Sequence, residues 1–488
     1  MFPFHFEFGF INFGTLLLIV DIVMVFVIIF LERKTPAATA AWIMIMLLLP
    51  VLGIILYIIF SQNIARKKIF KLTHSEETYI SASLKSQIND MKNGKFDYSD
   101  GSTGELWEDM ITLNVTYAKA YYTQDNDVDI FTDGTYMFSR LLDDIKKAKN
   151  SVNVMYFIVK NDIVGRRLID TLTEKAKEGV EVRFLVDAMG SRSINNYLLS
   201  DFIEAGGKVA YFFPPKLRYF NIKLNYRNHR KIVVLDNEIG YIGGFNIAKE
   251  YLGMKKKFGY WRDTHLRVTG SSVQDMNARF LMDWRFASGE DIPLEGVYEA
   301  PYKSTGRTGV QIVSSGPDSY REEVKRAYMK MITSAQRSVC LQTPYFIPDA
   351  SIQESLKMAA LSGVDVKVMI PCMPDHVMVY WATYWYVGDL LKSGVRVFIY
   401  DNGFLHAKTI VADGEVASVG SANFDRRSFA LNFEANAFVY DSKVAGKLED
   451  RFADDMTFCH ELTLDDYQKR SGWIQFKETI ARLLSDIL

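Results

Sequence analysis

The chain of 488 residues is too long for one ordinary hydrophobic core and fits two or three domains. Its 57 Lys and Arg nearly balance 58 Asp and Glu, giving a net charge of −1; this offers no global field for nucleic acid, so any basic surface is local. The three cysteines, Cys340, Cys372 and Cys459, are far apart and unpaired in spacing, which argues against a disulfide framework or a zinc site and fits a reducing compartment.

The amino terminus is apolar over residues 10–31, interrupted by Asn12, Thr15 and Asp21, and again over 37–60, interrupted by Thr39. Each stretch exceeds the ~20 residues needed to cross a bilayer. Only Glu32, Arg33, Lys34, Thr35 and Pro36 separate them, so residues 1–62 are expected to form a two-helix transmembrane hairpin. Arg66, Lys67, Lys68 and Lys71 outnumber Arg33 and Lys34 at the tip, which places the large domain in the cytoplasm of a multi-pass cell-membrane protein. A signal peptide fits less well, because the terminus opens with Glu7 rather than a basic run. Asp21 in mid-span is costly if charged and facing lipid. Pro50 and Gly53 are able to bend the second span.

Residues 63–110 are polar and mixed in charge, and read as a tether with some helix. Beyond them two halves run in parallel. A helix-like run over 136–149 leads to a strand over 151–157, as 320–336 leads to 338–346. Buried-strand patterns follow at 179–186 and 363–370. Alternating strands and helices give a layered α/β domain in each half, at 111–287 and 308–460, with a linker at 288–307 containing Pro293 and Pro301.

Each half carries the same pattern. The first reads His229-Arg230-Lys231, Asp236, Gly243-Gly244-Phe245-Asn246; the second reads His406-Ala407-Lys408, Asp413, Gly420-Ser421-Ala422-Asn423, with identical gaps. Of seven histidines only these two occupy that frame. Each pattern runs into apolar β-type sequence, and side chains alternate along a strand, so His229 projects with Lys231 and His406 with Lys408. An imidazole and an ammonium side by side suit a phosphodiester: the lysine holds a non-bridging oxygen while the histidine reaches phosphorus or the leaving oxygen. Asn246 and Asn423, past a glycine turn, are candidate neutral donors. Asp236 and Asp413 complete the motif as candidate catalytic residues, although an Asp opening a turn commonly bonds to backbone. Two half-sites making one phosphate site is the reading. No His/Asp/Glu cluster has metal spacing, so no metal or other cofactor is expected.

The repeated pattern resembles the phospholipase D superfamily. The run around Asn225–His229, Gly243–Asn246, Glu250–Gly253 and Phe258–His265 resembles its bacterial cardiolipin synthases, as does the hairpin with Ala41-Trp42 and Pro50–Gly53. Asp486, where Pro is expected, is a small departure. The resemblance implies two duplicated α/β/α layered domains with a pseudo-two-fold active site. It also implies Asp263 and Glu434 as carboxylates that orient the histidines; an ordinary ion pair of Asp263 with Arg262 is the plainer reading of that aspartate. It further implies phosphatidyl transfer: one histidine, by family habit His229, attacks phosphatidylglycerol while His406 protonates the departing glycerol, and a second phosphatidylglycerol resolves the phosphohistidine to cardiolipin. One neutral and one protonated imidazole are required, so a bell-shaped pH profile is expected.

Several surface features bear on a lipid substrate. Val377, Tyr380, Trp381, Tyr384 and Trp385 form one helical stripe suited to a core or a bilayer interface. Lys255-Lys256-Lys257, Lys216 and Arg218 are candidate headgroup contacts, and Arg426, Arg427 and Ser428 candidate phosphate contacts. Residues 461–488 read as an amphipathic helix through Trp473, Phe476, Ile480, Leu483 and Leu484. The expected partners are phosphatidylglycerol, cardiolipin and the lipid bilayer, with no nucleic acid and with room for a homo-oligomer. A membrane-anchored phospholipase D releasing phosphatidic acid, a nuclease and a non-catalytic membrane scaffold are the competing readings. The neutral charge disfavours the nuclease, and intact His/Lys pairs in both halves disfavour the scaffold.

Overall fold

The structure, a computed structural model, describes residues 7–8, 11–31, 36–60, 69–98, 103–214, 225–299, 305–483 and 485. Arg33, Lys34, Arg66, Lys67, Lys68, Lys216, Arg218, Pro301, Leu484 and Asp486, which carried expectations above, lie outside the described residues. The chain divides into two compact units, residues 1–64 with 215–226, and residues 65–214 with 227–488.

In the smaller unit the first apolar stretch is a helix, Phe13–Phe26, continued by a π-helical turn, Val27–Leu31. The second is two helices, Pro36–Leu48 and Pro50–Phe60, with a bend at Leu49. Proline at position 50 has no N–H to offer the preceding turn, which accounts for the break. Among the described residues no helix is long and apolar enough to cross a membrane, so the expected uninterrupted spans are not found. Ile28, Met46 and Tyr57 are buried, with Trp42 edge-on to Tyr57 at 5.3 Å. Most other apolar side chains face outward, including Leu18, Ile22, Phe30, Leu47 and Leu48.

The larger unit contains two sheets of the same order. The first runs Thr123–Asp133, Trp261–Thr269, Ile239–Gly243, Ile232–Leu235, Ser151–Tyr156, Glu181–Asp187, Lys208–Phe212. The second runs Thr308–Ser315, Asn432–Tyr440, Val416–Gly420, Thr409–Ala412, Ser338–Gln342, Asp365–Pro371, Arg396–Tyr400, with Cys459–Leu462 added at the far edge. In each sheet three neighbouring strands are parallel, the geometry of a β-α-β crossover, and the rest are antiparallel. The first strands of the two sheets pair antiparallel, Thr308 opposite Asn126.

Helices flank each sheet, and several start where the sequence supplies an acceptor for the free N–H groups: Asp133, Asp162, Asp349 and Asp441 cap Gly134–Lys147, Ile163–Lys177, Ala350–Leu361 and Ser442–Met456. Their apolar faces close two cores, one around Leu141, Leu168, Phe184 and Val233, the other around Tyr328, Leu341, Val368 and Ile410.

The segment read as a tether contains the helix His74–Lys92, opened by a Thr73/Glu76 capping box. It is packed: Leu84 and Met91 join the second core, and Gln87 exchanges two hydrogen bonds with the Tyr122 backbone. Its polar buried positions, Glu76 and Gln87, hid the inward face from a hydrophobicity pattern. The helix Gly472–Leu483 packs on Val377–Leu391, with Lys477 over Trp381 at 5.0 Å and Arg482 over Trp385 at 4.1 Å. The aromatic stripe is therefore half-buried, while Trp473, Phe476 and Leu483 face outward.

Candidate active site

The two halves are stitched by short crossed strands. Arg227–Asn228 lies parallel to Asn432 and Phe433, and Phe404–Leu405 lies parallel to Trp261 and Arg262. Each motif histidine is the next residue along: the His229 N–H donates to the Phe433 carbonyl at 2.9 Å, and the His406 N–H to the Arg262 carbonyl at 2.7 Å. Backbone from one half thus fixes the imidazole of the other.

The carboxylates are exchanged in the same way. His229 Nδ1 is 3.0 Å from both Glu434 Oε1 and Oε2, and His406 Nδ1 is 2.5 Å from Asp263 Oδ2. Both acids are fully buried and both imidazoles nearly so. With Nδ1 occupied, each ring presents Nε2 to the remaining space. Arg262 is not the partner of Asp263: its guanidinium pairs with Asp455 at 2.8 Å.

The lysines sit beside their own histidines. Lys231 Nζ donates to the His229 carbonyl at 2.6 Å and lies over the Phe157 ring. Lys408 Nζ donates to the His406 carbonyl and is 2.8 Å from His406 Nδ1. Phe157 meets His229 edge-on at 4.8 Å, and Trp261 flanks His406 at 5.0 Å.

Burial pushes His229 down to about 4 against the pull of Glu434, with the Lys231 and Lys408 charges adding to the depression. It pushes His406 down to about 4 as well, helped by Lys408 and Lys231. Each lysine is thus felt by the histidine of the other half, which makes the two half-sites one electrostatic unit. Burial brings Lys231 down to about 7 and Lys408 to about 8. Glu434 and Asp263 are held below the ordinary carboxylate range although burial acts the other way: His229 and Lys231 lower the first, Lys408 and His406 the second. The site therefore holds neutral imidazoles beside poorly solvated ammonium groups, a place that favours an incoming anion.

Asp236 and Asp413, grouped with the catalytic candidates on motif position, are not brought to the imidazoles. Each follows a four-residue strand, roughly 20 Å along the chain from its histidine at ~3.3 Å per residue. Asp236 accepts from the N–H groups of Lys149, Asn150 and Ser151, and Asp413 from those of Gln336, Arg337 and Ser338, with both residues in the left-handed region (φ 53° and 56°). Asn246 Oδ1 accepts from the Ile158 N–H, and Asn423 is buried with its Oδ1 unpaired. Asp425, rather than an arginine, organises the turn at Arg426–Ser428 by capping the Ser428 N–H.

Two buried contributors were not anticipated. Ser421 donates to Glu434 Oε2 at 2.5 Å. Arg230, between His229 and Lys231, is held by Asp283 at 2.8 Å and donates to the Ser315 and Glu434 carbonyls. The signal for Arg230 was its strand parity, which turns it away from His229 toward the interior, where a guanidinium needs a carboxylate. Among the described residues no group of three or more His, Cys, Asp or Glu is arranged to hold a metal ion.

Residues 141–284 and 328–456 match the model of the cardiolipin synthase, phospholipase D-like domain, and residues 19–62 match a phospholipase D-nuclease N-terminal model. The chain is 48% identical over 475 residues to the major cardiolipin synthase ClsA of Bacillus subtilis (strain 168), covering 97% of this chain and 98% of that one. It is 49% identical over 474 residues to a cardiolipin synthase of Listeria innocua, at the same coverage. The crystal structure of phosphatidylserine synthase from Haemophilus influenzae Rd KW20 superposes with a TM-score of 0.60 at 14% identity, over 78% of this chain and 97% of that one, a likeness of fold.

Proposed function

The chain belongs to the phospholipase D-like cardiolipin synthase family, and from that premise we propose how its two half-sites share one phosphatidyl transfer between phosphatidylglycerol molecules. The activity is cardiolipin synthesis, with phosphatidylglycerol as donor and acceptor and glycerol as the second product. The observation that carries the division of labour is the reciprocal exchange of carboxylates across the seam.

Glu434 keeps the proton of His229 on Nδ1, which leaves the Nε2 lone pair free to attack phosphorus. As the N–P bond forms, the P–O bond to glycerol breaks, and the departing oxygen takes a proton from His406 Nε2. His406 then removes the proton from a hydroxyl of the second phosphatidylglycerol; that oxygen attacks phosphorus and the P–N bond breaks, giving cardiolipin and free His229. Asp263 at His406 Nδ1 stabilises the imidazolium that this ring forms as the proton carrier, in opposition to the neighbouring Lys408 charge. The phosphodiester anion brings the counter-charge that lets His406 hold its proton and keeps Lys231 and Lys408 charged. Asn246 and Asn423 add neutral donors at the phosphoryl oxygens. Asp236 and Asp413 serve by fixing the strand ends.

One phosphodiester replaces another, so no nucleotide is consumed. The half-sites belong to residues 111–287 and 308–460. The helices within 11–60 present apolar side chains on nearly every face, the pattern of a segment solvated by lipid, which supports a membrane hairpin, and the excess of Lys and Arg after the second apolar stretch favours the catalytic part on the cytoplasmic side. The deciding experiment supplies purified protein with phosphatidylglycerol alone and identifies products by mass spectrometry. Equimolar cardiolipin and glycerol are expected; phosphatidic acid with no cardiolipin overturns the reading.

A further inference from the structure

A cavity of about 230 Å³ lies between the helix His74–Lys92, the loop before Thr123, and the helices Ser272–Ser288 and Glu295–Glu299. Its lining includes three tyrosines, Tyr79, Tyr121 and Tyr298, and one carboxylate, Asp275. The Tyr79 and Tyr298 rings make a corner, centroids 6.0 Å apart and tilted by 39°. The Tyr298 hydroxyl donates to Asp275 Oδ1 at 3.2 Å. No lysine or arginine of the described residues pairs with Asp275, and burial with no cation to offset it raises its carboxyl to about 7. Burial raises the phenols of Tyr121 and Tyr298, and the neighbouring Asp275 and Tyr79 add to it, so the four groups form one electrostatic cluster. Lys119, held in the left-handed region at φ 55°, supplies a cation to another part of the wall.

Aromatic faces are negative at their centres, and a ring of them around a carboxylate is the chemistry that selects a weakly hydrated organic cation over a metal ion or a neutral molecule. We propose that this cavity is a binding site for an alkylammonium group, with Asp275 as its counter-ion, the three tyrosines as its cage, and Lys119 facing any phosphate the amine carries. The proposal stands on these residues alone and does not depend on the assignment of the catalytic histidines, none of which line the cavity.

The test is isothermal calorimetry on the full chain in detergent micelles. Choline and ethanolamine are expected to bind saturably, and 3,3-dimethylbutan-1-ol, the neutral isostere of choline, at least tenfold more weakly. Asp275→Asn should weaken choline at least tenfold while leaving cardiolipin formation and the melting temperature unchanged. Tyr121→Phe should keep binding and Tyr121→Leu lose it, a pair that remains informative if Asp275→Asn folds poorly. Equal affinity for the isostere, or undiminished choline binding by well-folded Asp275→Asn, or no saturable binding of any probe, overturns the site. Comparing ethanolamine, phosphoethanolamine and dihexanoyl phosphatidylethanolamine separates the sources. A gain with phosphate that Lys119→Met removes marks a lipid headgroup or its phosphate ester, and equal affinities mark a free amine.

Discussion

The His229 and His406 half-sites are built on the same strand order and the same crossed backbone pairing, yet they hold their carboxylates differently. Glu434 reaches His229 with both oxygens and takes a further hydrogen bond from Ser421. Asp263, one methylene shorter, reaches His406 with one oxygen, and Gly244 stands where the second half has Ser421. A Cβ on Gly244 would lie 2.0 Å from Asp263 Oδ1. The space that Ser421 fills in one half is occupied by the acid itself in the other. Duplication thus supplied the frame, and divergence at two positions gave the two imidazoles differently held carboxylates, an asymmetry that the proposed pairing of a nucleophile with an acid can use.

The comparison breaks most completely if one imidazole is dispensable. His229→Ala and His406→Ala are each expected to lower cardiolipin formation by roughly 10⁴-fold or more, measured as product from phosphatidylglycerol. Only the His406 variant should accumulate lipid-labelled enzyme in single-turnover trapping, and label on His229→Ala would reverse the assigned roles. Next come the exchanged acids. Glu434→Gln and Asp263→Asn should cost on the order of 10²- to 10⁴-fold in kcat with the fold intact, each reproducing the defect of the histidine in the opposite half.

The glycine-for-serine difference sharpens the contrast. Gly244→Ala has to displace Asp263 and should cost on the order of 10²- to 10³-fold, whereas Ser421→Ala removes a hydroxyl bonded to Glu434 and to the Ala435 backbone while leaving Glu434 on His229, and should cost roughly tenfold. Equal effects would remove the proposed reason for the difference.

A smaller effect lies in pH. The lysines lose their protons from about 7 and about 8 in the free enzyme, earlier than an exposed lysine, so kcat/KM for the anionic lipid should fall as pH rises through that range. A kcat/KM constant from pH 7 to 9 contradicts charged lysines as headgroup ligands. Smallest in catalysis is Asp236→Asn, expected to lower the melting temperature by several degrees, as three charge-assisted backbone bonds weaken, while kcat stays within about twofold.

The duplication and the two His/Lys pairs were legible because identical gaps recur in a chain with few histidines. The layered α/β domains followed from buried-strand runs alternating with helical ones. What the pattern did not carry was pairing across distance: that Glu434 rather than a nearby residue orients His229, or that Arg262 prefers Asp455, is set by strand neighbours far apart in sequence. Ser421 and the inward face of His74–Lys92 escaped because their contributions are hydrogen bonds, which leave no hydrophobic periodicity. The bend at Leu49 shows the limit of counting apolar residues, since Pro50 divides a run that composition alone makes continuous.

The crossed strands carry a consequence for biosynthesis. The carboxylate that orients His229 is 205 residues downstream, and the backbone group that accepts its N–H lies beside it. A nascent chain emerging from the ribosome therefore holds its first histidine unoriented until nearly the whole polypeptide has been made. On the proposed division of labour, phosphatidyl transfer cannot begin until both halves exist, so the order of synthesis itself is a safeguard against premature attack on lipid.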